Sequence, residues 1–312
     1  MPYAAIFPGQ GAATPGAGHD WRDHPSWDVV GEAEAVLDRP LARLLLDADA
    51  EELSSTEASQ LAVLLTSLVA WDALAPQLGG APVAFAGHSL GQITALLASG
   101  AIDRADGFRL AARRAELSQR SADARPGRMA ALVGAELEVA ERVCQGADDV
   151  WLANDNAPGQ VVVAGTPEGV AAAGERARQL GVRRVVPLDV GHAFHTPLLA
   201  DAADGLRAAL DTLAFREPAA PIVANTDALG HTDPVRWPDQ LTRHLVEPVR
   251  WRESQRTLEA SGADTFIEVG PGRVLAGLAK RTVPDVAVYN VATPADLSTV
   301  VATTTTLTGA AR

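Results

Sequence analysis

The feature that most constrains this chain is the pentapeptide Gly87-His88-Ser89-Leu90-Gly91, which follows the apolar run 83–86 and opens into a helix-forming run at 92–99. It reads as strand, sharp turn and helix, the setting in which a G-x-S-x-G pattern raises a serine nucleophile above a sheet. Glycines flank the serine because side chains at those points would collide with the neighbouring strand and helix. Ser89 then stands at the head of a helix, where backbone N–H groups and the helix dipole favour a developing oxyanion. Short buried strands alternating with helices make the chain α/β in class, with a mainly parallel sheet.

The rest of the punctuation extends this reading. Residues 3–7 form a short buried strand ending in the turn Pro8-Gly9-Gln10-Gly11, and Ser54 with Glu57 three residues on predicts a capping box for a helix over 60–74. Asp103 opens an amphipathic helix over 103–121. From 129 to 190 the rhythm changes. Strands at 129–133, 150–153, 160–164 and 182–188, with helices at 136–143 and 167–180, follow the order βαββαβ. That order predicts a ferredoxin-like small subdomain over 127–190. It is inserted in a large α/β-hydrolase-like domain with a parallel sheet, formed by residues 1–126 and 191–312 and carrying the nucleophile turn. Strands at 222–224 and 265–268, and helices around 240–260 and 273–281, complete the large domain. The Thr- and Ala-rich stretch 302–312 is expected to fray.

Composition narrows the function classes. The 312 residues include 26 Lys+Arg and 39 Asp+Glu, a net charge of −13, with 47% hydrophobic and 21% charged residues. Such a chain builds a sizeable core and is not mostly disordered. Its net charge repels phosphate, and no basic run of useful length is present, so no nucleic-acid partner is expected. A single cysteine, Cys144, excludes an internal disulfide framework and a multi-cysteine metal site. The N-terminus lacks a basic n-region and a long apolar segment. The apolar runs at 61–65 and 182–190 fall far short of the ~20 residues of a membrane span. The expectation is a soluble, cytoplasmic monomer with no membrane association. Lys280 is the single lysine, and seven arginines between 104 and 128 face three acids there. That imbalance predicts a basic collar suited to an anionic ligand or partner.

A serine nucleophile needs a base, normally histidine. Of seven histidines, His88 adjoins Ser89 and would point away from it in a tight turn, so it is read as structural. His192 and His195 lie together in Gly191-His192-Ala193-Phe194-His195-Thr196. No third cluster of ligands makes them a zinc site. Spacing alone places a general base in this segment without choosing between the two.

Together these residues resemble the malonyl-CoA:acyl carrier protein transacylases and the related acyltransferase domains of polyketide synthases. The likeness runs from Phe7 to about Arg281. It is carried in order by Phe7-Pro8-Gly9-Gln10-Gly11, Gly87-His88-Ser89-Leu90-Gly91, Phe108-Arg109-Leu110-Ala111-Ala112-Arg113-Arg114 and Met129-Ala130-Ala131. Asn154-Asp155-Asn156-Ala157-Pro158-Gly159-Gln160, His192-Ala193-Phe194-His195, Pro248-Val249-Arg250-Trp251 and Glu268-Val269-Gly270-Pro271-Gly272 follow.

The resemblance implies a Ser89–His195 dyad and an oxyanion hole made of the backbone N–H groups of Gln10 and Leu90. It implies that Arg114 pairs with the free carboxylate of a malonyl group through a forked contact, and that His192, Phe194 and Asn156 contact substrate. Phe194 would favour malonyl over methylmalonyl. The implied reaction moves malonyl from malonyl-CoA to the pantetheine thiol of acyl carrier protein through a malonyl-serine ester. Those two are the expected partners, with no metal and no cofactor beyond the coenzyme A thioester itself. Two alternatives stand beside it: a discrete acyltransferase serving a polyketide assembly line, and a serine hydrolase or thioesterase of the α/β-hydrolase type. The hydrolase requires its histidine after the last strand. Three positions depart from the family pattern: Ala13, Gln92, where a local effect at the start of the helix is expected, and His244, at the position whose backbone carbonyl orients the catalytic histidine.

Overall fold

The computed structural model describes residues 1–188 and 190–306. Among these, ten strands occur: β1 (Tyr3–Phe7), β2 (Ala84–Gly87), β3 (Arg128–Val133), β4 (Val150–Ala157) and β5 (Gln160–Gly165), then β6 (Arg184–Pro187), β7 (Ile222–Val223), β8 (Gly230–His231), β9 (Thr265–Val269) and β10 (Ala287–Val291). Six form one sheet in the order β10-β9-β1-β2-β7-β8, parallel throughout except for the edge strand β8. All five residues of β1 are buried, as expected of a central parallel strand covered on both faces.

Alternation sorts its side chains between those faces. Tyr3, Ala5 and Phe7 join the core built on the helix Thr56–Leu74, whereas Ala4 and Ile6 join Trp251, Leu258, Leu275 and Leu278 on the other side. By length and composition residues 56–77 would also pass for a membrane span, a longer apolar stretch than the short runs suggest. Here the helix is almost wholly buried in the protein core.

The second sheet is antiparallel, in the order β4-β5-β3-β6. Ala130, Leu132, Val161 and Val163 on one face pack against Ala140, Val143, Ala173 and Ala177 of the helices Leu137–Gln145 and Pro167–Gln179. Met129, Ala131, Val162 and Ala164 alternate onto the other face and join the main core. The sheet is tied to the rest of the chain at residue 249. Asp155 N–H donates to Val249 O and Val249 N–H to Ala153 O, both at 2.9 Å. Arg252 Nε donates to Asp155 Oδ2, also at 2.9 Å.

Several local expectations shift. The long helix is capped by Ser55, whose Oγ accepts from Ala58 N–H, while Ser54 Oγ donates to Glu51 O one turn earlier and Glu57 is drawn to Arg39. An ion pair to a neighbouring segment thus replaces the capping box. The stretch 240–260 is two helices, Trp237–Val246 and Trp251–Ala260, parted at Pro248, which lacks the N–H to continue. β6 is shorter than the expected 182–188 run. β10 and the helix Pro294–Thr306 extend the sheet beyond the elements expected from sequence, and 302–306, expected to fray, belong to that helix. The remainder of that tail, 307–312, lies outside the described residues.

Candidate active site

β2 ends at Gly87, and Ser89 takes left-handed backbone with φ 52°. A Cβ on Gly87 would run into the carbonyl of Gly91, and one on Gly91 into that of Phe7 at the end of β1. Both glycines are therefore required by close backbone approach. The turn is braced from β7, which pairs with β2 and so brings Asn225 alongside. Ser89 N–H donates to Asn225 Oδ1 and Asn225 Nδ2 to Gly87 O, each at 2.8 Å. Gln92 Oε1 accepts from Asn225 N–H at 3.0 Å. Gln92 therefore acts across the sheet, not locally at its helix start as expected.

His195 also takes left-handed backbone, φ 61°, in a turn steadied by a 2.7 Å hydrogen bond from Thr196 Oγ1 to Ala193 O. Its Nδ1 lies 2.7 Å from His244 O and its Nε2 2.9 Å from Ser89 Oγ. A carbonyl can only accept, so Nδ1 carries the proton and Nε2 offers its lone pair to the serine hydroxyl. Burial, then the nearby Arg114 cation, pushes the His195 pKa down to about 3. The imidazole is a neutral base at any ordinary pH.

Arg114, on the helix Arg104–Ala124, is 2% exposed, and no carboxylate among the described residues lies within ion-pair distance of it. Its Nη1 donates to Gln60 Oε1 at 2.6 Å and its Nη2 to Ser89 Oγ at 3.1 Å. Burial lowers its pKa to about 10, which leaves it charged at neutral pH. Gln60 Nε2 in turn donates to Gln10 Oε1 at 2.9 Å, linking the guanidinium to the turn after β1. Gln10 opens a short helical turn and Leu90 precedes the helix Gly91–Ala98. Among the described residues neither backbone N–H has an acceptor.

Gln10, Ser89 and His195 line a cleft of about 270 Å³, and Arg114 stands behind Ser89 Oγ. The large sheet and its loops contribute Gln10, His88, Ser89, Phe194 and His195, and the four-stranded sheet contributes Met129, Asn154, Asn156 and Val162. Phe194 lines it as expected. Asn156 also reaches the cleft, but its Oδ1 is 2.8 Å from His88 Nε2, so its amide oxygen orients that histidine. His192 does not line the cleft. Its ring packs edge-on against Phe194.

The basic collar is largely neutralised by ion pairs, Arg128 being its one arginine on the surface without one among the described residues. Arg113 and Arg120 both pair with Glu116, Arg125 with Asp201, Arg109 with Asp106, and Arg104 with Glu32 and Asp72. Three of these acids, Glu32, Asp72 and Asp201, come from outside the counted segment and cannot be assigned to it by position. Reading residue by residue also missed Gln60 and Asn225. Gln60 was signalled as an amide opening an apolar helical run, and Asn225 as a polar residue just past the carboxyl end of a parallel strand, where such sheets place their sites.

The family profile of the acyl transferase domain matches residues 5–305. The chain belongs to that family. This acyltransferase is 37% identical over 284 residues to the malonyl CoA-acyl carrier protein transacylase of Bacillus subtilis, covering 89% of each chain. Its fold superposes with a TM-score of 0.91 on an acyl carrier protein S-malonyltransferase from Vibrio cholerae, 37% identical, over 96% of this chain and 100% of that one. A malonyl-transacylase solved in complex with a type II PKS acyl-carrier protein gives a TM-score of 0.92 at 35% identity, over 97% and 100% of the two chains.

Proposed function

We propose that this acyltransferase is a malonyl-CoA:acyl carrier protein transacylase working by two sequential acyl transfers. The observation that carries the reading is Arg114: a buried guanidinium with no carboxylate partner among the described residues, 3.1 Å from the serine hydroxyl. A buried cation is stable only when paired, and the free carboxylate of a malonyl group bound to Ser89 supplies the missing anion. Donor names among the relatives agree with this choice.

In the first transfer Ser89 Oγ attacks the thioester carbonyl while its proton passes to His195 Nε2. The carbonyl oxygen becomes an oxyanion facing the N–H groups of Gln10 and Leu90. The carbon–sulfur bond then breaks, His195 returns the proton to sulfur, and coenzyme A leaves as the thiol. In the second, the pantetheine thiol of acyl carrier protein gives its proton to His195 and attacks the ester. The carbon–Oγ bond breaks and Ser89 regains its hydrogen. Through both, Nδ1–H of His195 stays on the His244 carbonyl, so the dyad needs no acidic third member. The chemistry draws only on the chain's own groups.

The order β4-β5-β3-β6 with both helices on one face supports reading residues 127–190 as a ferredoxin-like unit inserted in an α/β-hydrolase-like domain, 1–126 and 191–312, with the cleft between them. Phe194 at the cleft wall narrows the space beside the acyl α-carbon. It favours malonyl over a branched donor by the modest margin one methyl allows, roughly 1–3 kcal/mol. The acidic carrier finds its positive charge at Arg273, Lys280 and Arg281. These lie on or beside the cleft-lining helix Val274–Thr282, and none has an ion-pair partner among the described residues.

The test is Arg114→Ala with two donors. Malonyl transfer should fall roughly 10²–10³-fold in kcat/KM, the cost of leaving a buried carboxylate unpaired, while acetyl transfer is spared or improved. An equal loss on both donors would make Arg114 structural and remove the dicarboxylate reading.

A further inference from the structure

Among the buried histidine rings that the reaction read above leaves without a task, His244 is the one stacked on the base. His244, on the helix Trp237–Val246, lends its backbone carbonyl to His195, but its side chain is also buried, at 3% exposed. The two imidazoles are stacked, with centroids 5.0 Å apart and planes 26° from parallel. His244 Nε2 is buried and has no hydrogen-bond partner among the described residues. A polar atom orphaned in this way costs stability, which a purely structural position would avoid by carrying an apolar residue.

The surroundings show what the ring does. His195 becomes a cation midway through each transfer, and the charged or titratable groups facing it are Arg114 from the helix Arg104–Ala124, His88 from the nucleophile turn and His244. None of these is an acid, so among the described residues charge gives the imidazolium no support. A flat ring stacked on it fixes its plane and keeps water off that face, so the base returns to its neutral form between transfers. That service requires His244 to be neutral, and burial, reinforced by His195 and Arg114, holds its pKa well below the usual histidine range.

Resting on the Ser89–His195 reading, we propose that the side chain of His244 is a positioning residue. Its stacked face holds the His195 ring in the plane that aims Nε2 at Ser89, and keeps solvent off the base.

The consequence is a displaced pH profile. Transfer requires neutral His195, so activity rises as pH climbs through its pKa. Removing the stacked ring admits water, raises that pKa toward the ordinary value and moves the acid limb to higher pH. Single-turnover acylation by labelled malonyl-CoA, followed after brief pH jumps between about pH 2.5 and 6, brackets a limb set by a pKa of about 3 and reads this directly. His244→Ala should move the acid limb up by about one pH unit and lower kcat without raising KM. His244→Phe, which restores a flat ring without the nitrogens, should return the limb to its wild-type position. If the alanine variant does not accumulate folded, His244→Gln keeps polarity and bulk without the aromatic face and should show the same displacement.

A variant slowed by the same factor at every pH would assign the ring a structural role and overturn the proposal. Failure of His244→Phe to restore the limb would also overturn it, by giving the effect to the nitrogens. Wild-type protein that takes no label at about pH 6 would bring down the acyl-serine reading itself. Label with an unmoved limb brings down this inference alone.

Discussion

The two turns that deliver Ser89 and His195 share an unusual backbone and are held in opposite ways. Each places a non-glycine residue in the left-handed region, at φ 52° and 61°, at a cost of order 1–3 kcal/mol. Around Ser89 the motif's own glycines make the turn possible, and Asn225 adds a brace from β7. Gly87 and Gly91 let β1, β2 and the following helix close in until no side chain would fit. The His195 turn has only Gly191, whose Cβ position is empty space. Its support comes from afar: Gly127 opens room for the Ala193 backbone, and the His244 carbonyl arrives from 49 residues away. A nucleophile can be presented by a motif of five residues, whereas its base is placed by whatever the tertiary fold sets opposite.

Five substitutions sharpen or break that contrast. The largest effect falls on the reacting atoms. Ser89→Ala should retain no label from malonyl-CoA after denaturation, and His195→Ala should slow both half-reactions by about 10²–10⁴-fold. Label surviving on Ser89→Ala would move the nucleophile elsewhere. Next comes Gly91→Ala, whose methyl would meet the Phe7 carbonyl. Denaturant unfolding should show a loss of roughly 3 kcal/mol or more, and a near-neutral result would mean the turn is not held locally. Asn225→Ala removes the brace from β7 while leaving the glycines. It should lower kcat about tenfold, with 1–3 kcal/mol lost in stability from the orphaned Ser89 N–H. The smallest effect belongs to Gly191→Ala. With open space at its Cβ and no positive φ, it should change melting temperature and kcat/KM little, or stabilise slightly by restricting the unfolded chain. A large loss there would show that the histidine turn also depends on its glycine.

The same contrast explains how much could be read from sequence. The nucleophile turn, the β1 strand with its Gly9-Gln10-Gly11 loop and the order of elements from 128 to 187 were legible, because each follows from spacing, glycine placement and apolar runs within a few residues. The choice of His195 over His192 was not legible from spacing. It came from family likeness, and the structure shows its physical basis in one ring meeting Ser89 while the other packs on Phe194. The Ser54 cap and the basic collar failed for a related reason. Arg39, Glu32, Asp72 and Asp201 reach those groups from distant segments and change their partners.

By itself, then, the sequence determined which backbone turns are sterically allowed and which strands are buried on both faces, since those depend on residue size and alternation along the chain. Only the tertiary structure decided that Arg114 has no acid beside it among the described residues, that Gln60 joins it to Gln10, that Asn225 braces the serine and that His244 stacks on the base. Those are pairings between segments tens of residues apart, and a hydrogen bond or an ion pair is set by distance in space, which the order of residues along the chain does not encode locally.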